Sequence, residues 1–218
     1  MKLLPIDCNS EKLAYWYFRL NGCFTIENFV IHPDKGRQQR TDVDIMAIRL
    51  PYRSELLQNP MQDDPPVLSE GNRIKLILAE VKQEVCNLNG PWTDRNRSNM
   101  QRAISAAGPF PPENIEAAAK SLYDTGVYQN DTLTMTLFCV GRRENRELRR
   151  RYPDVPQITW QHILGFIYDR FTNYKEQKSS HPQWNEYGSM LFQTAINSKS
   201  KETFIKSINI VNLSLLKE

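Results

Sequence analysis

Residues 74–82 read IKLILAEVK, and this short stretch decides the fold class. Its first six residues are apolar except for Lys75, which is typical of a strand buried on both faces of a sheet. The stretch nevertheless ends with Glu80 and Lys82, whose side chains point to the same side because side chains alternate along a strand. An unpartnered charge is costly to bury, so these two charges need a partner or a function.

The segments on either side predict further strands and helices. Asn9 and Ser10 can cap a helix from about Glu11 to Leu20, which Asn21-Gly22 ends. The other predicted strands are CFTIENFVIH (23–32), TDVDIMAIRLP (41–51) and DTLTMTLFCVG (131–141). The other predicted helices lie in MQRAISAAG (100–108), ENIEAAAKSLYDTG (113–126), ENRELRRRY (144–152), ITWQHILGFIYDRFTNY (158–174) and NEYGSMLFQTAI (185–196). The tail SINIVNLSLL (207–216) fits either a strand or a poorly packed end.

This order of elements predicts an α/β domain with a central mixed β-sheet flanked by helices. We expect residues 1–145 to form the core and residues 146–218 a helical C-terminal extension packed on it, together one structural domain. Residues 52–72 hold three prolines and form a long excursion between two predicted strands. Long excursions in compact domains are usually functional or mobile.

The composition is that of an ordinary globular protein, with 40% hydrophobic and 24% charged residues. A net charge of +3 excludes a histone-like basic protein but allows a local basic face. The four cysteines are widely spaced, and Cys23, Cys86 and Cys139 fit the pattern of packing residues, which favours a reducing cytoplasm. A structural zinc site is not expected, and neither are a signal peptide and a membrane span.

Acidic residues stand in two of the predicted strands. Asp42 and Asp44 share a face just before the apolar run that begins at Ile45, and Glu80 closes the next strand. If the two strands are neighbours, Asp44 lies beside Glu80, and the two carboxylates repel unless a cation sits between them. We therefore expect a Mg²⁺ ion, or Mn²⁺ in its place, held by Asp44 and Glu80, with Asp42 outside the ligand set.

Lys82 and Glu11 have further expected roles at such a site. Near a metal-bound water and an anionic substrate, the Lys82 ammonium can orient the nucleophile and balance developing negative charge. The alternative for Lys82 is an ordinary surface salt bridge with Glu80. Glu11 could reach the metal through water, or it could simply be a first-turn acid favoured by the helix dipole.

With these residues in place, the chain resembles the PD-(D/E)XK nuclease superfamily. The shared features are an early Glu in a helix that ends in Asn-Gly, a strand with Asp before apolar residues, and Glu-Val-Lys closing an apolar strand. The layout is similar to the restriction-endonuclease-like and Holliday-junction-resolvase-like members over about residues 11–141. The resemblance implies that Asp44 and Glu80 bind Mg²⁺, that Val81 adds its backbone carbonyl, and that Lys82 is catalytic with Glu11 as an accessory acid.

Two features depart from the pattern of that superfamily. Val43 stands where proline precedes the first acid of the motif. The segment between Asp44 and Glu80 is longer than in compact members, because it includes the 52–72 excursion. This second departure weakens the expected pairing of the two strands.

Candidate nucleic-acid contacts follow the Glu-Val-Lys strand. Gln83 is next to Lys82, although it should face away from it, and Trp92, Arg95 and Arg97 lie in the loop NGPWTDRNRSN (89–99). Arginine with an exposed aromatic suits phosphate and base contact, whereas the alternative is a helix start with Trp92 as a hydrophobic plug. Six arginines follow the last core strand, at positions 142, 143, 146, 149, 150 and 151. We expect Arg142, Arg143 and Arg146 to contact nucleic acid, and the alternative is a solvated helix.

The sequence thus predicts a metal-dependent nuclease that hydrolyses phosphodiester bonds, with DNA as the expected substrate. Restriction, phage defence and recombination or repair all fit. Two alternatives stay open: an inactive nucleic-acid-binding or assembly subunit on a nuclease scaffold, and a protein-binding partner of a larger defence or repair complex. A homodimer is also compatible with the chain.

Overall fold

The computed structural model describes residues 6–36, 40–179 and 185–211. The strands are β1 (Ile6–Asn9), β2 (Phe24–Ile31), β3 (Thr41–Arg49), β4 (Ile74–Val81), β5 (Val127–Gln129), β6 (Leu133–Gly141), β7 (Gln157–Thr159) and β8 (Ile208–Val211). The helices are α1 (Ser10–Leu20), α2 (Gly90–Thr93), α3 (Asn99–Ala107), α4 (Pro112–Thr125), α5 (Arg146–Arg151), α6 (Trp160–Asn173), α7 (Lys175–Lys178), α8 (Glu186–Asn197) and α9 (Lys201–Ser207).

A mixed six-stranded sheet forms the centre of the protein, in the order β2-β3-β4-β6-β5, with β7 also paired to β6. The pairs β2–β3, β3–β4 and β5–β6 are antiparallel, whereas β4–β6 and β6–β7 are parallel. The predicted α/β class with a central mixed sheet is therefore confirmed. Because β4 and β6 are parallel, their carboxyl ends meet at one edge of the sheet, next to β7.

Helices cover both faces of this sheet. On one face, α1, α6, α8 and α9 enclose a core that includes Ile45, Ile77 and Val81. On the other face, α3 and α4 enclose a second core that includes Met46, Leu76 and Leu78. The strand β4 thus contributes alternate residues to two cores, and this burial on both faces explains its nearly continuous apolar sequence.

The first helix forms where the capping residues predict it. The Asn9 side chain accepts a hydrogen bond from the Lys12 backbone N–H at 2.9 Å, and Gly22 has a φ of 72° just after the helix. Asn21 is fully buried and its side chain donates to the Tyr17 carbonyl oxygen at 2.9 Å. This end of the helix is therefore fixed by side-chain hydrogen bonds as well as by glycine.

The part of the chain after residue 145 contributes strands as well as helices. The segment predicted as one helix from Ile158 begins instead as β7, and α6 starts only at Trp160. Thr159 caps α6 by accepting the His162 N–H at 3.2 Å, which sets the helix boundary. The C-terminal strand β8 pairs in parallel with β1, so the strand alternative is confirmed for 208–211. Residues 212–216 of the predicted tail lie outside the described residues.

The 52–72 excursion is anchored to the body of the protein by two adjacent acids. Asp63 accepts hydrogen bonds from Arg49, Arg53 and Arg170, each at about 2.7 Å, and its side chain is almost fully buried. Asp64 accepts from the Tyr17 hydroxyl at 2.6 Å and lies 2.5 Å from His162 Nε2. The excursion therefore docks on α1 and α6 through charged hydrogen bonds, and it packs Val67 into the core.

The four cysteines are buried and unpaired, as expected of packing residues. Burial raises the pKa of Cys8, Cys23 and Cys86 to about 12, so these thiols stay protonated at neutral pH. Across residues 6–36, 40–179 and 185–211, no helix has the length and apolar character that crossing a bilayer requires.

Candidate metal and active site

A cavity of about 200 Å³ opens at the carboxyl end of β4, and all four predicted catalytic residues line it. Its walls come from α1, β3, β4 and the 89–92 segment. The residues that line it are Glu11, Thr41, Asp42, Asp44, Glu80, Val81, Lys82, Asn89 and Trp92. The expected juxtaposition of Asp44, Glu80 and Lys82 is thus present, in a small polar cavity.

The strand register places Asp44 and Glu80 side by side. Ile45 pairs with Ala79 in the antiparallel β3–β4 ladder. Because the two strands run in opposite directions, the residue before Ile45, Asp44, stands opposite the residue after Ala79, Glu80. Residues opposite each other on one face of such a pair have Cβ atoms about 5 Å apart. The long segment between the two acids does not disturb this pairing, because its excursion is docked elsewhere, on α1 and α6.

Asp44 is held by the backbone of the neighbouring strand. Its Oδ2 accepts the Val81 N–H at 2.6 Å, which fixes the carboxylate against the end of β4. Burial raises the pKa of Asp44 to about 7, with the negative charge of Glu80 as the next cause. The Val81 N–H and the Lys82 ammonium oppose this rise in pKa. Asp44 is thus a carboxylate whose ionisation a nearby cation would strongly favour.

Glu80 is 4% exposed and receives three side-chain donors. Trp92 Nε1 donates to its Oε2 at 2.7 Å, while Asn89 Nδ2 and Lys82 Nζ both donate to its Oε1. These contacts fix the orientation of the buried carboxylate. Lys82 is thus in an ion pair with Glu80, as the salt-bridge alternative predicted, but the pair lies in the cavity beside Asp44 and not on an open surface.

The cavity holds an excess of negative charge. Glu11 and Asp42 join Asp44 and Glu80 in its lining, and Lys82 is the one basic residue among the lining residues. Burial raises the pKa of Glu11 above its ordinary value, and the charges of Asp42 and Glu27 add to this rise. Oxygen ligands with excess negative charge suit a hard divalent cation such as Mg²⁺.

No group of three or more His, Cys, Asp or Glu side chains within the described ranges is arranged to hold a metal ion. Mg²⁺ commonly takes one or two carboxylates and keeps several waters, so Asp44, Glu80 and the Val81 carbonyl would be a sufficient set of protein ligands for it. Val81 is 8% exposed with its side chain in the core, as the alternation predicted, and it lines the cavity.

Trp92 does not occupy the exposed position expected of a base-stacking residue. It is 3% exposed and packs in the core under α3 and α4, so the prediction of a nucleic-acid contact was wrong and the plug alternative holds. The short helix that begins at Gly90 lies against the core built by α3 and α4, and the indole is buried there with its N–H on Glu80. Trp92 therefore supports the carboxylate and cannot stack on a base.

The two arginines of the same loop are exposed but differ in their surroundings. Arg95 forms an ion pair with Asp124 of α4. Arg97 lies near Gly90, the residue that follows Asn89. It forms an ion pair with Asp94 at 3.3 Å. Of the two, Arg97 is the one placed beside the cavity residues.

The arginine cluster after β6 lies at the same sheet edge as Glu80. Arg143 bridges in parallel to Val85, three residues beyond Lys82, and its N–H donates to the Glu84 carbonyl at 2.9 Å. The six arginine side chains of this cluster, at positions 142, 143, 146, 149, 150 and 151, are all exposed. Arg142 forms an ion pair with Glu84, and Arg149 forms one with Glu144. Arg143 and Arg146 form no ion pair with any described residue. Gln83 is half-buried, and its backbone carbonyl accepts a hydrogen bond from the indole N–H of Trp160 at 3.1 Å.

Asn89 is the site residue that the sequence did not indicate. It stands in a loop of mixed polar and apolar residues, and nothing in that pattern distinguishes a donor to Glu80 from a solvent-exposed amide. Only the position of the loop against the end of β4 identifies it.

The chain matches no protein-family model, no curated protein and no solved structure. Its class is therefore defined by the coordinates as an α/β protein with a mixed sheet flanked by helices and an acidic cavity at one sheet edge.

Proposed function

We propose that this protein is a divalent-metal-dependent nuclease with a restriction-endonuclease-like core of the PD-(D/E)XK type. The observation that carries the proposal is the position of Asp44 opposite Glu80, with Lys82 in the same cavity. Two acids brought together across the sheet, with an ammonium beside them, form an arrangement suited to Mg²⁺-assisted phosphodiester hydrolysis.

In this proposal, Asp44, Glu80 and the Val81 carbonyl would hold the metal. Mg²⁺ bound there would supply Lewis acidity for the scissile phosphate and for the attacking water. Trp92 and Asn89 keep the Glu80 carboxylate in one orientation, so that it need not rearrange during the reaction.

The Lys82 ammonium has two successive partners in this mechanism. It pairs with Glu80 in the protein alone and can turn to the phosphate oxygens once the charge of Glu80 is compensated. There it stabilises the negative charge that develops as the phosphodiester bond is cleaved. Glu11, on the α1 side of the cavity, can accept a proton from the attacking water because its pKa is raised.

DNA is the proposed substrate, because exposed arginines lie at the same sheet edge as the cavity. Arg143 and Arg146, which form no ion pair with a described residue, can bind the phosphates on one side. Arg97, which pairs with Asp94, can do so beside Asn89. Restriction, phage defence and recombination or repair are the processes that such an enzyme would serve. A nuclease that cuts both strands is often a two-fold dimer, and a homodimer of this chain would fit that activity.

The test is a cleavage assay on supercoiled plasmid, linear DNA and RNA, with Mg²⁺ or Mn²⁺ and with EDTA. We expect metal-dependent cleavage of DNA by the protein and none by Lys82→Ala. The matched control is Lys120→Ala, which removes an exposed lysine of α4 whose ion pair within the described ranges is with Asp124. Absence of cleavage under all conditions, or equal cleavage by Lys82→Ala, would contradict the proposal.

The second candidate is an inactive nucleic-acid-binding or assembly subunit on the same scaffold. The Glu80–Lys82 ion pair favours it, because this pair could stabilise the end of β4 without any chemistry. Calorimetry separates the two functions. A Mg²⁺ site that disappears in Asp44→Asn supports the enzyme, whereas salt-sensitive DNA binding without a metal site supports the subunit.

A further inference from the structure

Asn28 has a backbone conformation that residues other than glycine rarely adopt inside a strand. Three non-glycine residues of the described ranges have a positive φ, and Asn28, with a φ of 50°, is the one that lies within a strand, in the middle of β2. Asparagine tolerates this left-handed conformation better than most residues, but it still costs free energy relative to an extended one. Such a residue persists where the surrounding structure requires it, so its neighbours show what it does.

The strand pairing is interrupted where Asn28 stands opposite Asp44. The β2–β3 ladder is regular on both sides of this step but passes over these two residues. The faces of β3 change at the same step. Val43 and Ile45 are two residues apart and should share a face, yet Val43 packs in the core of α3 and α4 and Ile45 in the core of α1 and α6. The β2–β3 ribbon is therefore twisted at Asn28, and Asp44 lies at the twist.

The direction of the Asp44 side chain follows from this twist. The β3–β4 ladder ends at the pair of Ile45 with Ala79, and beyond it the Val81 N–H donates to the Asp44 carboxylate at 2.6 Å. In a regular strand a side chain stands roughly perpendicular to the sheet. The Asp44 carboxylate instead reaches sideways to a backbone N–H of the neighbouring strand, which is where the proposed metal site needs it.

Asn28 also contacts the cavity through its side chain. Its amide is hydrogen-bonded to the carboxylate of Glu11, one of the residues that line the cavity. Burial raises the pKa of Glu11, and the charges of Asp42 and Glu27 add to this rise, whereas Lys12 and the Asn28 amide oppose it. Asn28 is thus adjacent to cavity residues of both α1 and β3.

We propose that Asn28 is a positioning residue of the candidate metal site: its left-handed backbone twists the β2–β3 ribbon and turns the Asp44 carboxylate toward the end of β4. Asn28 touches neither metal nor substrate in this role and acts through Asp44. Its consequence for metal binding and cleavage rests on the proposed function, whereas its consequence for the contact between Asp44 and Val81 does not.

Two substitutions at this position separate the backbone conformation from the side chain. Asn28→Gly and Asn28→Ala both remove the amide that contacts Glu11, but glycine adopts a φ of 50° freely and alanine does not. NMR of the metal-free full chain measures hydrogen exchange at the Val81 amide, with the Leu78 amide of the same strand as the reference for overall stability. Relative to Leu78, we expect Val81 exchange to be unchanged in Asn28→Gly and about tenfold faster in Asn28→Ala.

Calorimetry and the cleavage assay give the functional readouts. Mg²⁺ should bind to Asn28→Gly about as tightly as to the protein and about tenfold more weakly to Asn28→Ala, since only alanine displaces the Asp44 ligand. Asn28→Ala should also lower kcat relative to Asn28→Gly. A protein that binds no Mg²⁺ and cleaves no DNA contradicts the proposed function, and the Val81 comparison then still decides the role of Asn28.

Ser98 provides the matched control. It has nearly the same φ, 52°, and it lies at the start of α3, outside the cavity lining. Ser98→Ala should lower the thermal unfolding midpoint relative to Ser98→Gly and leave Val81 exchange and Mg²⁺ affinity unchanged. Val81 exchange that is the same in Asn28→Gly and Asn28→Ala, whether slow or fast, would overturn the proposal.

Discussion

Replacing Asp44 with asparagine should stabilise the protein in the absence of metal at about pH 8. Asparagine has the shape of aspartate, and its side-chain oxygen can still accept the Val81 N–H that Asp44 accepts at 2.6 Å. The variant therefore removes the charge and keeps the hydrogen bond. An isosteric change at a proposed metal site that increases stability is unusual, and it follows from the burial of the Asp44 carboxylate first and from the charge of Glu80 next.

The magnitude follows from the pKa of Asp44, which rises from 3.8 to about 7. Each pKa unit corresponds to about 1.4 kcal/mol, so ionised Asp44 costs at most about 4 kcal/mol, and about half of that after screening by water. Because the pKa is raised, the native protein binds more protons than the unfolded chain between about pH 4 and about pH 7. The free energy of unfolding therefore falls as the pH rises through this window.

The assay is urea unfolding of the protein and of Asp44→Asn in EDTA, at about pH 5 and about pH 8. We expect the variant to be more stable by about 2–4 kcal/mol at the higher pH and by much less at the lower pH. Millimolar Mg²⁺ should then stabilise the protein at about pH 8 and leave the variant unchanged.

The matched control is Asp169→Asn, which removes an exposed carboxylate that pairs with Lys201 on the protein surface. It should show no such pH-dependent gain. If Asp44→Asn is less stable than the protein at about pH 8, or if its effect does not change with pH, the reasoning about a buried carboxylate beside Glu80 is wrong.

Three further substitutions test the site, the anchored excursion and the basic edge. Trp92→Phe keeps a buried aromatic ring but removes the N–H that donates to Glu80. It should lower the free energy of unfolding by about 1–3 kcal/mol and weaken Mg²⁺ binding about tenfold in calorimetry. Unchanged Mg²⁺ affinity would show that the contact does not orient Glu80. Asp63→Asn leaves three arginines around a neutral group and should cost about 3–5 kcal/mol in urea unfolding, and a loss below about 1 kcal/mol would contradict the docking role of Asp63. Arg143→Ala and Arg146→Ala should each reduce the salt dependence of DNA binding by about one unit of slope in fluorescence anisotropy, and an unchanged slope would remove these arginines from the binding surface.

The sequence by itself determined the strands β2, β3, β4 and β6, the longer helices and the residue types of the candidate site, but not β1, β5 or β7. Helix caps and strand alternation are local rules, so α1 begins at its Asn9 cap and Val81 turns inward between Glu80 and Lys82, as predicted. The acids and the lysine were also visible, because charges at the end of a buried strand stand out against its apolar residues.

Only the tertiary structure decided which of these residues meet. The β3–β4 register sets Asp44 against Glu80 across the intervening excursion, and no local pattern in the chain encodes that register. Trp92 was predicted as exposed and is buried, because the direction of its side chain depends on the core that α3 and α4 build around it. The contact of Asn89 with Glu80 comes from folding in the same way.

The physical reason is that hydrogen-bond satisfaction and burial are properties of pairs of residues that are distant in the chain. A sequence pattern shows that Lys75 is a charge in an apolar strand, but only the packed excursion shows that the Pro66 and Leu68 carbonyls accept its hydrogen bonds. The local sequence thus shows which reactive side chains the protein has, and the tertiary structure decides which of them lie in the same cavity.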